Sequence, residues 1–293
     1  MKYRSLFLSL LFLFSISVFA QVQETPKLIP MGLTIIVDDV QGSSEWYKSN
    51  LNFTVHKSMD SKVILKKSDF YLELKESDGS VNEKELKLPE QYKFINGYSK
   101  FSFVVDNLKG LYNHLFINGV NIFRPISKVE FFEGEYFVIT DKDGNYLQFI
   151  SNEKSDTPVK KIKMKPFIMS KMVSDLEESI DWYKNVLGFT VSEVLNIPDH
   201  ELKIGYIELN GFYFELIDTG VSTNKSELSE YQNKELQGFS NLTLFTNDIN
   251  SISNFIKSTN YSLNNNIEST NFGNYTKQLN LKDLSENNIQ IIN

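Results

Sequence analysis

The sequence predicts an α+β protein built from four βαβββ modules, two in each half of the chain. An internal repeat, a regular change of hydrophobic period and a globular composition lead to this prediction. The chain has 293 residues, of which 41% are hydrophobic and 13% aromatic. Such a chain can bury a core, and at roughly 100–200 residues per domain its length predicts two domains.

The composition also excludes several kinds of function. The formal net charge is -7, and a nucleic-acid or anionic-membrane partner requires a basic face that this chain lacks. The chain contains no cysteine, which excludes disulfides, thiolate catalysis and thiolate metal sites. Only three histidines remain as candidates: His56, His114 and His200.

Residues 1–20 have the pattern of a cleavable signal peptide. A basic start precedes an apolar run from Leu6 to Phe19, and small residues near Ala20 suit a signal peptidase. The run is shorter than the ~20 residues that a membrane anchor needs. We therefore expect a mature chain that begins at Gln21, is periplasmic or secreted, and has no membrane association.

An internal repeat relates the two halves of the mature chain. The segment from Asp39 to Val55 matches the segment from Asp175 to Val191 at a constant offset of 136, and both copies contain Trp-Tyr-Lys. The only two tryptophans of the chain occupy the same place in the two copies. Further along, Glu73 matches Glu215 at an offset of 142. Two halves of similar size follow from this repeat.

Within each half the hydrophobic period changes in a regular order. In the second copy, an apolar strand is followed by a helical period from Leu176 to Leu187, and Asn210-Gly211 then predicts a hairpin between two later strands. The strands predicted in this module are 167–173, 189–194, 203–209 and 212–217. The corresponding first strand of the chain is 31–37.

The same order of strand, helix and three strands recurs without the Trp-Tyr pair. One such series comprises strand 100–105, helix 108–117 and strands 120–123, 130–140 and 146–150. The other comprises strand 241–246, helix 249–256 and strands 261–263, 274–281 and 289–292. Polar stretches at 75–98, 151–163 and 218–238 join these units and are predicted to be surface loops.

The segment from Asp175 to Phe189 resembles the signature of the vicinal oxygen chelate superfamily, which includes glyoxalase I, extradiol dioxygenases and bleomycin resistance proteins. Asp141-Lys-Asp-Gly-Asn-Tyr-Leu-Gln148 resembles the last-strand motif of the same family. The resemblance covers two tandem domains, 29–152 and 164–293. It implies that each domain folds its strands into an open cup that holds a ligand or a metal.

The resemblance also implies where metal ligands would lie, and most of these positions are replaced. The family's Glu at the end of the first module persists in both halves, as Glu73 and Glu215. The positions of its two histidines and its last-strand Glu carry other residues: Gly32, Ile168, Lys100, Asn241, Gln148 and Gln290. None of the three histidines of the chain aligns with a ligand position. Because a divalent ion needs several converging ligands, we expect neither a metal nor another cofactor.

Other candidate site residues are weaker. Glu73 and Glu215 could be general bases if burial in an apolar cup raised their pKa, unless they lie on a solvent face. Arg124 could hold an anionic ligand through its fork of donors, although a lone surface arginine is common. Tyr136 and Tyr213, each followed by Phe, could wall a ligand pocket or belong to the core.

Three functions stay open at this point. The first is an extracytoplasmic protein that binds a small organic molecule without a catalytic metal. The second is a lyase or dioxygenase of the same superfamily, either metal-dependent or metal-free. The third is a non-catalytic interaction module whose cups are filled with side chains. Since the two halves already supply a domain pair, we expect a monomer.

Overall fold

The structure, a computed structural model, describes residues 27–76, 88, 90–128, 134–151, 157–228, 236–259, 261, 266–270 and 272–293. Within these residues the chain forms four βαβββ modules, which confirms the predicted α+β fold. The predicted signal peptide lies outside the described residues. No helix in the described ranges combines the length and the apolar character that crossing a membrane would require.

The first half of the chain contains modules 1 and 2. Module 1 consists of β1 (Ile29–Val37), α1 (Val40–Leu51), β2 (Thr54–Met59), β3 (Lys62–Lys67) and β4 (Phe70–Glu76). A short strand, β5 (Phe94–Ile95), precedes module 2. Module 2 consists of β6 (Gly97–Val105), α2 (Leu108–Ile117), β7 (Ile122–Lys128), β8 (Glu135–Thr140) and β9 (Tyr146–Ser151).

The second half repeats this order in modules 3 and 4. Module 3 consists of β10 (Met164–Met172), α3 (Leu176–Leu187), β11 (Thr190–Ile197), β12 (Leu202–Leu209) and β13 (Phe212–Asp218). Strand β14 (Ser222–Thr223) pairs with β5. Module 4 consists of β15 (Gly238–Phe245), α4 (Ile249–Ser258), β16 (Ile267–Ser269), β17 (Lys277–Lys282) and β18 (Asn288–Ile292).

Several predicted strands differ from the structure in their bounds; the strand predicted at 120–123, for example, is Ile122–Lys128. The strand predicted at 261–263 lies mostly outside the described residues, and the described strand of that region, β16, begins at Ile267. The strand predicted at 130–140 begins at Glu135 in the structure, and 130–133 lie outside the described residues. The order of elements in each module is unaffected.

The repeated helices α1 and α3 begin and end in the same way. The side chains of Asp39 and Asp175 accept hydrogen bonds from the backbone N–H groups of Gly42 and Glu178, so each helix starts with a capping carboxylate. After the last turn of α3, Gly188 adopts a left-handed φ of 75°. The residue after α1, Asn52, has φ 55°, which asparagine tolerates better than most residues.

The strands form two eight-stranded sheets, and each sheet combines modules from both halves. Sheet 1 has the order β16-β17-β18-β15-β1-β4-β3-β2, and sheet 2 has the order β11-β12-β13-β10-β6-β9-β8-β7. The central ladders are antiparallel, with β1 on β15 and β10 on β6. Module 1 therefore pairs with module 4, and module 2 with module 3. The expectation that each half closes a cup of its own is wrong, because the first strands of the modules pair between the halves. The boundaries at 29–152 and 164–293 stay a prediction.

Alternate residues of each strand separate the core from the opposite face of its sheet. On β4, Phe70 packs against Phe101 and Phe103 of sheet 2, with ring centroids 5.6 Å and 5.4 Å apart. The intervening residues Tyr71 and Glu73 point to the other face, as period-two alternation requires. The hydrophobic core thus lies between the two sheets, and the face of each sheet opposite the core is the one that can form a cup.

Two tyrosine–aspartate hydrogen bonds connect the sheets. Tyr47 on α1 donates to Asp141, which lies in the turn before β9, with an oxygen–oxygen distance of 2.6 Å. In the repeat, Tyr183 on α3 donates to Asp283 before β18, at 2.5 Å. Only the second pair includes a lysine: Lys171 forms a fully buried ion pair with Asp283. Each bond joins a helix flanking one sheet to a turn of the other.

Candidate functional site

A cavity of about 800 Å³ lies on the face of sheet 2 opposite the core, and side chains from all eight strands of the sheet line it. Its lining combines charged and polar side chains with aromatic rings. Its central polar residues are Lys100, Gln148, Ser170, Tyr206 and Glu215.

Glu215 is the centre of a hydrogen-bond network on the cavity floor. Its carboxylate accepts hydrogen bonds from the hydroxyls of Ser170 and Tyr206, the latter at 2.8 Å. The ammonium group of Lys100 lies 3.2 Å from the same carboxylate. Strand register explains this convergence, since Ser170 lies opposite both Lys100 and Glu215, and Tyr206 lies opposite Glu215.

The network determines the protonation of Glu215. Burial alone would raise its pKa, but the charge of Lys100 and the hydrogen bonds from Ser170 and Tyr206 hold the pKa below its ordinary value of 4.5. The expected rise in the pKa of Glu215 is therefore wrong, and its role as a general base stays a prediction. Burial and the charge of Glu215 raise the pKa of Tyr206, so that the Tyr206 hydroxyl stays protonated and donates.

Four metal positions of the resembled family meet in this cavity: Ile168, Lys100, Gln148 and Glu215 all line it. Of these, only Glu215 offers a carboxylate. The Gln148 side-chain oxygen accepts a hydrogen bond from Ser102 at 2.7 Å, and Lys100 places a positive charge beside Glu215. One carboxylate, one amide and one ammonium do not fit a divalent ion. In the described parts of the chain, no three His, Cys, Asp or Glu side chains are grouped to hold a metal.

The three candidate ligand-binding residues also line this cavity. Arg124 on β7 donates to the hydroxyl of Tyr136 on β8 at 2.8 Å, and Tyr213 packs on Phe167 with ring centroids 5.4 Å apart. Their neighbours in sequence, Phe137 and Phe214, are fully buried in the core instead. The alternation of the strands thus separates cavity residues from core residues.

On the equivalent face of sheet 1, a described aromatic side chain occupies the space beside the first metal position. Phe272, which precedes β17, lies against Gly32 so closely that a Cβ atom on Gly32 would come within 2.7 Å of its ring. The Phe272 ring packs on Tyr71 at 5.7 Å between centroids, in a cluster with Ile64 and Ile292. Where the family resemblance places a histidine, an aromatic ring from a loop of this chain occupies the space.

Glu73 lies two residues after Tyr71 on β4, on the same face of the strand. Its carboxylate accepts a hydrogen bond from Thr34 at 3.0 Å and forms an ion pair with Lys62. The other two metal positions of this face are Asn241 and Gln290, and Gln290 accepts a hydrogen bond from Thr243 at 3.2 Å. Glu73 is therefore enclosed and paired, whereas Glu215 reaches an open cavity.

The histidines lie elsewhere. The ring of His56 packs edge-on against Tyr71 at 5.2 Å between centroids, and His114 lies on α2 next to Asn118. His200 is the last residue of a short 3-10 turn, Pro198–His200. The lining of the sheet 2 cavity includes neither His56 nor His114.

Ser170 and Tyr206 are site residues that sequence reasoning missed. A signal existed for Ser170, since Thr34 stands at the same offset of 136 in the first copy. In the structure, each of these two hydroxyls donates to the glutamate of its own half. A hydroxyl two residues after the family's first-strand histidine position therefore accompanies the glutamate in both halves. For Tyr206 the repeat gives no such signal, because the equivalent residue in the first copy is Ile64.

We predict that Glu215→Gln lowers the free energy of unfolding by about 2 kcal/mol at neutral pH, because it removes hydrogen bonds to a charged acceptor and leaves Lys100 without its counterion. The pKa of Glu215 is lowered in the folded state, so its stabilising contribution exists above pH 4.5 and is lost as the pH falls through the folded-state pKa. The variant should therefore differ less from the wild type under acid conditions.

Urea unfolding at neutral and acid pH measures this difference. The matched control is Glu177→Gln on the exposed face of α3, which should change stability by only a few tenths of a kcal/mol. A Glu215→Gln variant that unfolds like this control at both pH values would show that the network contributes nothing.

Comparison with known proteins agrees with this architecture. The sequence profile of the Glyoxalase/Bleomycin resistance protein/Dioxygenase superfamily matches residues 31–149 and 168–291. Glyoxalase I from Zea mays has a similar structure, with a TM-score of 0.67 and 16% sequence identity over 92% of this chain and 94% of that one.

A candidate dioxygenase from Bacillus subtilis is similar with a TM-score of 0.60 and 14% identity, over 91% of this chain and 86% of that one. At these identities the structural likeness shows the fold alone. No curated protein matches the sequence. The profile match covers most of the chain in two segments, and the chain therefore belongs to the Glyoxalase/Bleomycin resistance protein/Dioxygenase superfamily.

Proposed function

We propose that this protein binds a small organic molecule in the cavity of sheet 2 and does so without a catalytic metal. The observation that carries this proposal is the Lys100–Glu215 ion pair on the cavity floor, at 3.2 Å. The ammonium group neutralises the one carboxylate that persists from the family's ligand set. A divalent ion at this place would have to displace or face that positive charge, which Coulomb repulsion disfavours.

The size and lining of the cavity support ligand binding. Its volume of about 800 Å³ falls in the range of roughly 300–1,000 Å³ that is usual for small-molecule sites, and it combines apolar walls with a few placed polar groups. On sheet 1, among the described residues, the Phe272 ring occupies the space beside Gly32. One ligand per chain is therefore expected.

The experiment combines three measurements on protein purified without chelators. Elemental analysis gives zinc, iron, manganese and nickel per chain, native mass spectrometry detects copurified small molecules, and thermal shift reports stabilisation by a library of organic compounds. We expect less than a tenth of an equivalent of metal, with binding that is lost in Ile217→Trp, a variant that fills the cavity.

The competing functions give different results. Near-stoichiometric metal together with turnover of a methylglyoxal–glutathione adduct or of catechols would establish a metal-dependent lyase or dioxygenase instead. Turnover without metal would establish a metal-free enzyme. Binding that is unchanged in Ile217→Trp would place any ligand outside the cavity and overturn the proposal.

We further propose that the mature protein begins at Gln21, acts in the periplasm or outside the cell, and is a monomer. The basic start and apolar run of residues 1–20 support export. The two complete sheets formed by one chain support the monomer. Intact mass of the exported protein and gel filtration test both statements. Recovery of a chain with Met1 in a membrane fraction would contradict the first, and elution as a dimer would contradict the second.

A further inference from the structure

The charges around the sheet 2 cavity are unevenly distributed. Three basic side chains and two carboxylates line it: Lys100, Arg124, Lys128, Glu193 and Glu215. Lys100 and Glu215 neutralise each other on the floor. The two remaining cations both lie on β7, whereas Glu193 lies on β11, the strand at the opposite edge of the sheet. The β7 wall of the cavity is therefore positively charged.

Arg124 is held in place by a neutral partner. Its Nη1 donates to the Tyr136 hydroxyl at 2.8 Å, and its guanidinium carbon lies 6.0 Å from the centre of the same ring. Within the described residues, no carboxylate forms an ion pair with Arg124. Because a guanidinium has five N–H donors in a fixed plane, Arg124 keeps donors and a full charge for a ligand.

Aromatic rings lie on both sides of the cavity. Phe123, next to Arg124, packs on Tyr146 with ring centroids 4.7 Å apart. On the other side, Phe167 packs on Tyr213 at 5.4 Å. All four residues belong to the cavity lining. A flat apolar group between these walls would bury its faces against rings, while a charged group at its end reached Arg124.

We infer that the ligand of this cavity is an organic anion with an aromatic body, whose carboxylate or similar acidic group binds Arg124. The inference rests on the proposed function and specifies the class of ligand. Arg124 is the binding residue for the anionic group. Tyr136 is a positioning residue, since its hydroxyl oxygen accepts the hydrogen bond that orients the guanidinium.

Isothermal titration with three probes of the same shape tests the charge preference. Phenylacetate is the anion, phenylacetamide its neutral counterpart and phenethylamine a cation. We expect phenylacetate to bind more tightly than phenylacetamide by a factor of about ten or greater, because a carboxylate forms charge-assisted hydrogen bonds with arginine. Phenethylamine should bind more weakly than either of the others.

Variants identify the residues responsible. Arg124→Met should abolish the preference of acid over amide, while Lys165→Met, at an exposed lysine outside the cavity lining, should leave it intact. Tyr136→Phe should reduce this preference only partly. If the variant keeps wild-type stability, such a reduction shows that Tyr136 positions Arg124, since a purely structural tyrosine would leave the preference unchanged. A preference that persists in Arg124→Met would overturn the assignment to Arg124.

The outcomes separate this inference from the proposed function. If the amide or the amine binds as tightly as the acid, and Ile217→Trp abolishes that binding, the cavity is a ligand site but not one for anions. If none of the three probes binds at millimolar concentration, the inference is overturned. In that case, organic ligands found in the wider compound library would still support the proposed function.

Discussion

The triple variant Ile168→His, Lys100→His and Gln148→Glu is expected to bind one divalent ion, whereas the wild-type chain is expected to bind none. Together with Glu215, the three new side chains would give two imidazoles and two carboxylates, a set that suits zinc, nickel or iron. The change at Lys100 also removes the ammonium group that now neutralises Glu215.

We expect the dissociation constant for zinc or nickel to fall from above millimolar to micromolar or below, about a thousandfold or ~4 kcal/mol. Equilibrium dialysis with elemental analysis measures it. Lys100→His alone is the matched control and should bind at most weakly, since one imidazole and one carboxylate leave the ion poorly held. A folded triple variant without metal would show that the four positions do not converge on one point.

Asp283→Asn is expected to lower the free energy of unfolding by about 3–5 kcal/mol, because it leaves the buried ammonium of Lys171 without its counterion. Lys171 and Asp283 each have side chains only 1% exposed. Burial lowers the pKa of Lys171, and the charge of Asp283 and its hydrogen bond oppose that shift. Without the carboxylate, the described hydrogen bond that remains for the Lys171 ammonium group is the one to the Tyr183 hydroxyl.

The internal repeat provides a matched control for this variant. Asp141 occupies the same place as Asp283 and accepts from Tyr47, but the position equivalent to Lys171 is Ile35. Burial raises the pKa of Asp141 even though Tyr47, Asn145 and two backbone N–H groups oppose this shift, so its charged form is the costly one in the folded protein. Asp141→Asn should therefore cost less than Asp283→Asn.

Urea unfolding of both variants, and of the double variant Lys171→Met with Asp283→Asn, completes the test. The double variant should be more stable than Asp283→Asn alone, since it removes the unpaired charge together with its cause. Equal losses in Asp141→Asn and Asp283→Asn would show that the ion pair adds nothing to the shared Tyr–Asp hydrogen bond.

The order of elements could be predicted because local signals specify it. The repeated segment from Asp39 to Val55, the helical spacing from Leu176 to Leu187 and the Asn210-Gly211 turn each depend on neighbouring residues alone. The structure confirms these features and places the two tryptophans at equivalent positions in α1 and α3. Short-range patterns are sufficient for this part of the fold.

The pairing of modules could not be predicted in this way. The repeat shows that β1 and β10 are equivalent strands. It does not show whether each of them pairs with the first strand of the other module in its own half or with one in the other half. The packing of Phe272 against Gly32 is similar, because the nearest prediction, a strand at 274–281, does not indicate which residue Phe272 contacts. Both features depend on contacts between residues far apart in the chain.

The site was partly accessible from sequence through the family resemblance. That resemblance located Lys100, Gln148 and Glu215, which the structure brings together in one cavity. Their electrostatics was not accessible, because the lowered pKa of Glu215 depends first on the charge of Lys100 on β6, and then on hydrogen bonds from β10 and β12. The burial of Lys171 was equally hidden, since its partner Asp283 belongs to the other sheet.

Because of the ladders β1–β15 and β6–β10, the segment between Ser151 and Met164 is not the main connection between the two halves. Since each sheet holds strands from both halves, a chain hydrolysed in that linker would still be held together by these two ladders and the core. The covalent connection makes the pairing of the halves intramolecular, so that it does not depend on protein concentration. Either half made alone would contribute four strands to each of two sheets, and it would need a partner copy, identical or complementary, to complete them.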